Sequence, residues 1–250
     1  MSESAISIER ARVQRNGTPV LSDVTISVGP GEMVGLIGPN GAGKTTLLNL
    51  VNGLVRPSVG SVRVLGRDLA RAGGNEVRRE VATVPQTRAI DPRMPLLVRE
   101  AVLMGRYGRI GLGRRSARRD RAVAEGAIAQ VGLSHLADRP IGHLSGGEQQ
   151  KVALGRALAQ EARVVLLDEP LNSLDRSAQA DFVEALRKVH EERGLTIVFV
   201  SHELDTLARL CTQVIALKDG RIAAAGPARG ILDDAALMAR LFASNGKSGA

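Results

Sequence analysis

The chain has 250 residues, a formal charge of +8, 44% apolar residues and 24% charged ones. This is an ordinary globular composition, with length for one to two domains and a substantial core. One cysteine, Cys211, excludes a disulfide framework and a multi-cysteine metal cluster built by this chain alone. No apolar run approaches the roughly 18–20 residues that span a bilayer. Met1–Arg10 is acidic and lacks an apolar segment, so no secretory signal is expected and the chain is placed in the cytosol. Four aromatics, Tyr107, Phe182, Phe199 and Phe242, are too few for a base-stacking platform or an aromatic membrane belt, so no nucleic-acid partner is expected. The positive charge is 29 Arg against 5 Lys. It is compatible with anionic ligands and equally with a genome that prefers arginine codons.

In chain order, Ile6, Ile8 and Val13 alternate as in a strand, which ends at the turn pair Asn16-Gly17. Val20–Val28 alternates again, and Gly29-Pro30-Gly31 is a turn. Met33–Ile37 is a short continuous apolar run, the pattern of a strand buried on both faces. A glycine-rich loop and a helix over Lys44–Asn52 follow. From Thr87 to about Leu158 no strand is expected and helix signal dominates. Val164–Leu167 is again an apolar strand, Arg176–His190 has helical spacing, and Leu195–Val200 is rich in β-branched residues. Leu204, Leu207, Ala208 and Cys211 fit one helix face. Val214–Leu217 and Arg221–Ala225 form a hairpin around Asp219-Gly220. Ser244–Ala250 is a Gly/Ala-rich tail. Alternating strands and helices predict an α/β domain with a mainly parallel sheet and an antiparallel N-terminal part. The predicted division is an α/β core over 1–86 and 161–250, with a helical subdomain, 87–160, inserted in it.

Gly38-Pro39-Asn40-Gly41-Ala42-Gly43-Lys44-Thr45, followed by Thr46, fits G-x-x-x-x-G-K-[ST]. Glycines let the backbone curl so that successive amides face one phosphate, and the following helix adds its positive end. Lys44 supplies a point charge for the β- and γ-phosphates, and Thr45 offers a hydroxyl to Mg²⁺. Asp168-Glu169 ends an apolar strand, where open α/β sheets gather ligands. There Asp168 can hold the magnesium shell, and Glu169 can polarise a water for attack on the γ-phosphate. Ser145-Gly146-Gly147-Glu148 precedes a helical stretch over Lys151–Gln160; taken alone it reads first as an ordinary helix cap, and otherwise as a second anion-binding helix start. One nucleotide needs only one phosphate loop, so this second start suggests a ligand shared across a dimer.

Taken together and in order, GPNGAGKTT, LSGGEQ and VVLLDE resemble the ATP-binding cassette of ABC transporters, over about residues 5–230. The resemblance implies a P-loop NTPase (RecA-like) core, ATP and Mg²⁺ as ligands, and two copies sandwiching two ATP molecules head to tail. It also implies a permease dimer in the membrane, a substrate-binding protein met indirectly, and peripheral attachment at the cytoplasmic face of the membrane. By that resemblance Gln86 touches Mg²⁺ and the attacking water. Ser173-Leu174-Asp175 lies across the dimer interface, and His202 contacts the γ-phosphate. Ser145 and Gly147, with Gly146 and Glu148 in the same segment, reach the nucleotide held by the other copy. The family commonly stacks an aromatic on adenine from the first hairpin. Residues 1–106 contain none, and the matching position is Arg15 or Gln14. A guanidinium plane can stack on a base, with weaker or less selective binding expected. Leu171-Asn172 after Pro170, and Glu203 where Asp is commoner, are smaller departures given little weight.

Val102–Arg109 is similar to the equivalent stretch of manganese and zinc uptake cassettes, and less fully to iron-chelate, haem and cobalamin importers. The expected function is therefore an importer ATPase, with a metal cation (Mn, Zn or Fe) as cargo. The alternatives are an iron-chelate, haem or cobalamin importer ATPase, or a soluble cassette such as an iron–sulfur cluster assembly ATPase. Arg106, Arg109, Arg114, Arg115, Arg118, Arg119 and Arg121 fall within 16 positions, opposed locally only by Asp120. They read either as a contact surface for acidic groups or anionic lipid, or as a solvated basic loop. Cys211 is expected to be buried and inert. His135, His143 and His190 are read as surface or capping residues.

Overall fold

The computed structural model describes residues 4–71, 74–86, 90–111 and 113–243. Thr87, the expected start of the helical insertion, and the tail Ser244–Ala250 lie outside the described residues. The chain begins with β1 (Ile6–Arg15), β2 (Thr18–Val28) and β3 (Met33–Ile37), and continues with α1 (Lys44–Val51), β4 (Val59–Val64), β5 (Arg67–Asp68), α2 (Gly74–Glu80) and β6 (Val81–Val84). Helices α3 (Val98–Leu103), α4 (Tyr107–Ile110), α5 (Arg118–Gln130) and α6 (Gly146–Ala159) come next. The remainder is β7 (Val164–Asp168), α7 (Arg176–Arg193), β8 (Thr196–Val200), α8 (Leu204–Leu210), β9 (Gln213–Lys218), β10 (Arg221–Pro227), α9 (Ala228–Leu232) and α10 (Ala235–Phe242).

Two sheets form. One is antiparallel in the order β2-β1-β4-β5; the other runs β10-β9-β3-β8-β7-β6. In the second, β9, β3, β8, β7 and β6 are parallel, and β10 is an antiparallel edge. Both predicted hairpins are present. Asn16-Gly17 and Asp219-Gly220 all carry positive φ, the backbone of the tight two-residue turn that follows strand twist. The continuous apolar runs are explained by burial on both faces. Val164 and Leu166 pack with the antiparallel sheet and α1, whereas Val165 and Leu167 pack with the helices on the other side.

The structure corrects several boundaries. Helix α6 starts at Gly146, not Lys151, because Ser145 and Glu148 form a capping box that outweighs the helix-breaking tendency of two glycines. Gly147 has to be small in any case: a Cβ there would sit 2.8 Å from Ala178 Cβ. Strands β4, β5 and β6 and helices α2, α9 and α10 are not among the expected elements; all but α10 are short, and α10 is missing from them although its apolar residues do fall on one face. Strand β6 is four residues long and gains its identity from pairing with β7.

Between Gln86 and Val164 the described residues contain helices and no strand of either sheet. These helices share one core with the parallel sheet: Val102, Ile128, Val152 and Leu158 belong to the same buried cluster as Val84, Leu167 and Phe199. The arginine run is not one patch. Arg106 is 4% exposed, and its guanidinium donates to Asp120 Oδ1 (3.1 Å), Glu161 Oε2 (2.6 Å) and Ala159 O (2.9 Å). Arg109 donates to Gln160 O and Glu161 O and lies 3.5 Å from Glu80. The partners Glu80 and Glu161 are distant in sequence, so the local charge count missed them. Arg114, Arg115, Arg118, Arg119 and Arg121 remain exposed. No helix of the described residues is long and apolar enough to cross a membrane.

Candidate functional site: a phosphate cradle at the sheet edge

Strand order places the chemistry. In the sequence β3-β8-β7-β6, Leu36 pairs with Val200, Val200 with Asp168, and Leu167 with Val84. The carboxyl ends of four strands therefore lie side by side, where open α/β sheets bind ligands. The loop Gly38–Thr45 leaves β3 at this edge, Asp168-Glu169 ends β7, His202 follows β8 by two residues, and Gln86 follows β6 by two.

Gly38 takes φ +152°, and a Cβ there would lie 2.1 Å from Leu217 O, so only glycine lets the loop cross the sheet edge. Among the described residues the amides of Gly41, Gly43, Lys44 and Thr45 make no backbone hydrogen bond, at the positive end of the eight-residue α1. Lys44 is 7% exposed and turns its ammonium back to Gly38 O (2.8 Å) and Pro39 O (3.2 Å). Burial pulls this ammonium below its ordinary pKa, while Glu169 and Asp168 oppose the shift. A buried cation held by its own loop's carbonyls, beside uncommitted amides, suits an anion.

Thr45 Oγ1 donates to Asp168 Oδ2 at 3.1 Å. Burial pushes the Asp168 carboxyl above its usual range, partly offset by that hydrogen bond. A hydroxyl and a carboxylate are hard oxygen donors that fit magnesium. Among the described residues no cluster of three or more His, Cys, Asp or Glu groups could hold a metal ion.

Glu169 is the centre of a cluster. It adopts φ +51°, the left-handed region that non-glycine residues rarely enter, and its amide is tied to Val200 O at 3.1 Å. Its Oε1 lies 3.0 Å from His202 Nε2 and 3.8 Å from Lys44 Nζ. Its Oε2 accepts from Asn172 Nδ2 at 2.5 Å. Asn172 is the site residue that the sequence undervalued. Its only sequence signal was its place three residues after the second carboxylate, on the turn back from the strand.

Other predicted residues stand apart. Gln86 is exposed and has no hydrogen bond to Lys44, Thr45 or Asp168. Ser145 accepts from Glu148 N, Asp175 accepts from Ala178 N, and neither is bonded to the phosphate loop. Arg15, at the exposed hairpin tip opposite Thr18, makes no bond to the site. Its hairpin does border the loop: Val20 O and Leu21 Cδ2 stand 3.1 and 2.8 Å from where a Cβ on Gly43 would be. Pro39 and Thr46 are half-buried, Asn40 and Gly41 exposed, and Ala42 buried within the cradle. Cys211 is buried, as expected, and burial pushes its thiol up to about 12.

The family profile described as ABC transporter matches residues 21–172. The chain belongs to the ABC transporter family. It is 41% identical over 220 residues to the cobalamin import ATP-binding protein of Halobacterium salinarum, an alignment covering 88% of this chain and 54% of that one. The chain thus spans about half the length of that relative. It is 39% identical over 213 residues to the zinc transport system ATP-binding protein of Treponema pallidum, covering 85% of this chain and 78% of the relative. Among solved structures, an ATP-binding cassette of an ABC transporter in its ADP conformation superposes with a TM-score of 0.84 at 25% identity, covering 94% of this chain and 97% of the other. The two-sheet cassette with helices between β6 and β7 is therefore this family's P-loop NTPase fold.

Proposed function

We propose that this chain is the ATP-hydrolysing subunit of an ABC importer, working as a pair of copies on a separate permease at the cytoplasmic face of the membrane. The observation that carries the reading is the convergence on one sheet edge of a phosphate cradle, Lys44, the Thr45–Asp168 pair and Glu169 backed by His202.

In the proposed step Lys44 leaves the loop carbonyls for the β- and γ-phosphates, and the free amides of the loop take the remaining oxygens. Magnesium, held by Thr45 and Asp168 with Gln86 near, would neutralise charge on those phosphates. Glu169 Oε1 accepts a proton from water as the water oxygen attacks the γ-phosphorus and the bond to the ADP oxygen breaks. His202 and Lys44 stabilise the phosphoryl charge. Ser145–Glu148 and Asp175 serve the nucleotide held by the other copy, since they are bonded to nothing in their own phosphate loop. Arg15 takes the place of the adenine-stacking aromatic.

Residues 87–160 act as one moving unit. A groove of about 490 Å³ lined by Gln86, Ile90, Met94, Leu96, Met104 and Val152, among others, is the surface offered to the permease. Gln150 Nε2 donates to Pro85 O, which ties helix α6 to the segment that carries Gln86. The cargo is a metal cation, supported by the Val102–Arg109 stretch and the zinc transport relative. The Halobacterium relative favours cobalamin as the second reading.

The test is a pair of variants. Lys44→Ala should lose binding of fluorescent ATP. Glu169→Gln should keep binding and lose at least about 100-fold in turnover. Ordinary turnover in Glu169→Gln would refute the base assignment. Mass spectrometry of membrane partners captured by tagged Glu169→Gln with Mg-ATP then reads the permease, and through it the cargo. Capture of soluble assembly proteins alone would end the transport reading.

A further inference from the structure

We propose that Asn172 is a positioning residue for hydrolysis, holding one oxygen of the Glu169 carboxylate so that the other faces the phosphate cradle. The inference rests on the ATPase reading above and deepens it.

A glutamate's terminal torsion is broad, so the chain does not by itself select which oxygen points at a substrate. Here the two oxygens have different partners. Oε2 accepts the Asn172 side-chain amide at 2.5 Å. Oε1 lies on the opposite side, 3.0 Å from His202 Nε2 and 3.8 Å from Lys44 Nζ, which is the phosphate side. When Lys44 moves to a bound phosphate, Oε1 has a lone pair for water, and Oε2 stays committed.

Asn172 can act as a fixed reference because its turn is built rigidly. Glu169 leaves β7 with φ +51°, Pro170 restricts the next φ, and Asn172 N closes the turn on Glu169 O at 3.2 Å. Leu171, 1% exposed, anchors the turn in the core, and Gln179 Nε2 holds Leu171 O. The amide is therefore delivered from the same turn that strains Glu169 into place. Backbone strain next to reacting groups persists where the surroundings over-determine it.

The test uses the purified 250-residue chain. Asn172→Asp keeps the shape but removes the donor, and Asn172→Ala removes the side chain. Each should lower kcat by about 10–100-fold, the scale of a misplaced reacting group, with KM for Mg-ATP and the Kd of fluorescent ATP within about twofold. In a Glu169→Gln background the same substitutions should have no further effect on residual turnover, because the group they position is already gone. A merely structural role would lower activity in both backgrounds and move nucleotide affinity as well. Wild-type kcat in Asn172→Asp, a parallel loss of affinity, or an additive loss with Glu169→Gln overturns the proposal. Failure with an active wild type sinks Asn172 alone. A wild type that never hydrolyses ATP sinks the ATPase reading and this inference with it.

Discussion

At the residue scale, the site is a set of charges kept out of water for a ligand's sake. Burial raises the Asp168 carboxyl above its ordinary value, with Thr45 pulling the other way. A carboxyl raised in the folded state contributes stability while it is protonated, below the unfolded carboxylate pKa. That contribution is lost as pH rises through the folded value. Above that folded value the ionised Asp168 is therefore a burden on the nucleotide-free protein. Asp168→Asn keeps the shape without the charge, so the nucleotide-free variant should melt higher than wild type while losing the rise in Tm given by Mg-ATP. Thermal melts with and without Mg-ATP check both halves. A lower Tm in the empty variant would contradict the argument. The neighbouring Lys44 shows the same tension from the cationic side, since burial pulls its pKa down while two carboxylates hold it up.

At the element scale, helix α6 is fixed at both ends. Its start is the Ser145–Glu148 capping box, and its last carbonyls, with those just beyond it, accept from Arg106 and Arg109. Guanidinium donors there meet both the unpaired carbonyls and the negative end of the dipole. Arg106 is almost wholly buried, so its removal would take the guanidinium partner from Asp120, at 14% exposure, and from Glu161, leaving Asp120 its bond from Ala117 N and Glu161 the more distant Arg109. Arg106→Ala should cost about 3 kcal/mol in urea unfolding, whereas exposed Arg114→Ala should change stability by less than about 0.5 kcal/mol. Equal effects would mean that Arg106 is only another solvated surface charge. Arginines spaced along one run thus divide into helix-end clamps and surface charges according to acids such as Glu80 and Glu161, which lie 29 to 55 positions away in the sequence, and not by local sequence alone.

At the scale of the whole molecule, the start of α6, proposed above to serve a partner's nucleotide, does not meet the phosphate loop of its own chain. Ser145 and Gly146 are exposed at the start of α6, and no hydrogen bond joins Ser145–Glu148 to Lys44, Thr45 or Glu169. In the proposed head-to-tail pair, the start of α6 in each copy would meet the phosphate loop of the other. Glu169→Gln with Mg-ATP should elute at the mass of two chains in size-exclusion chromatography, and adding Ser145→Arg should return it to one. A single-chain mass for Glu169→Gln at saturating Mg-ATP would count against the paired arrangement.

Much of this was legible from the sequence because the decisive signals are local. The glycine loop before Lys44-Thr45, the apolar run ending in Asp168-Glu169 and the turn pairs Asn16-Gly17 and Asp219-Gly220 each state their backbone within a few residues. Strand β6, too short to show a period, became a strand only by pairing with β7. The strand order that sets Glu169 beside His202 and Lys44, the helix start at Gly146 and the burial of Arg106 depended on contacts between distant segments. Asn172 belongs to both groups. It is three residues from Glu169 in sequence, but its amide reaches that carboxylate only because Glu169 turns through a left-handed backbone and Leu171 is anchored in the core. Sequence determined the groups available for phosphate chemistry, since residue type sets charge and donors; tertiary structure decided which oxygen faces which group, since orientation is set by packing that no single segment contains.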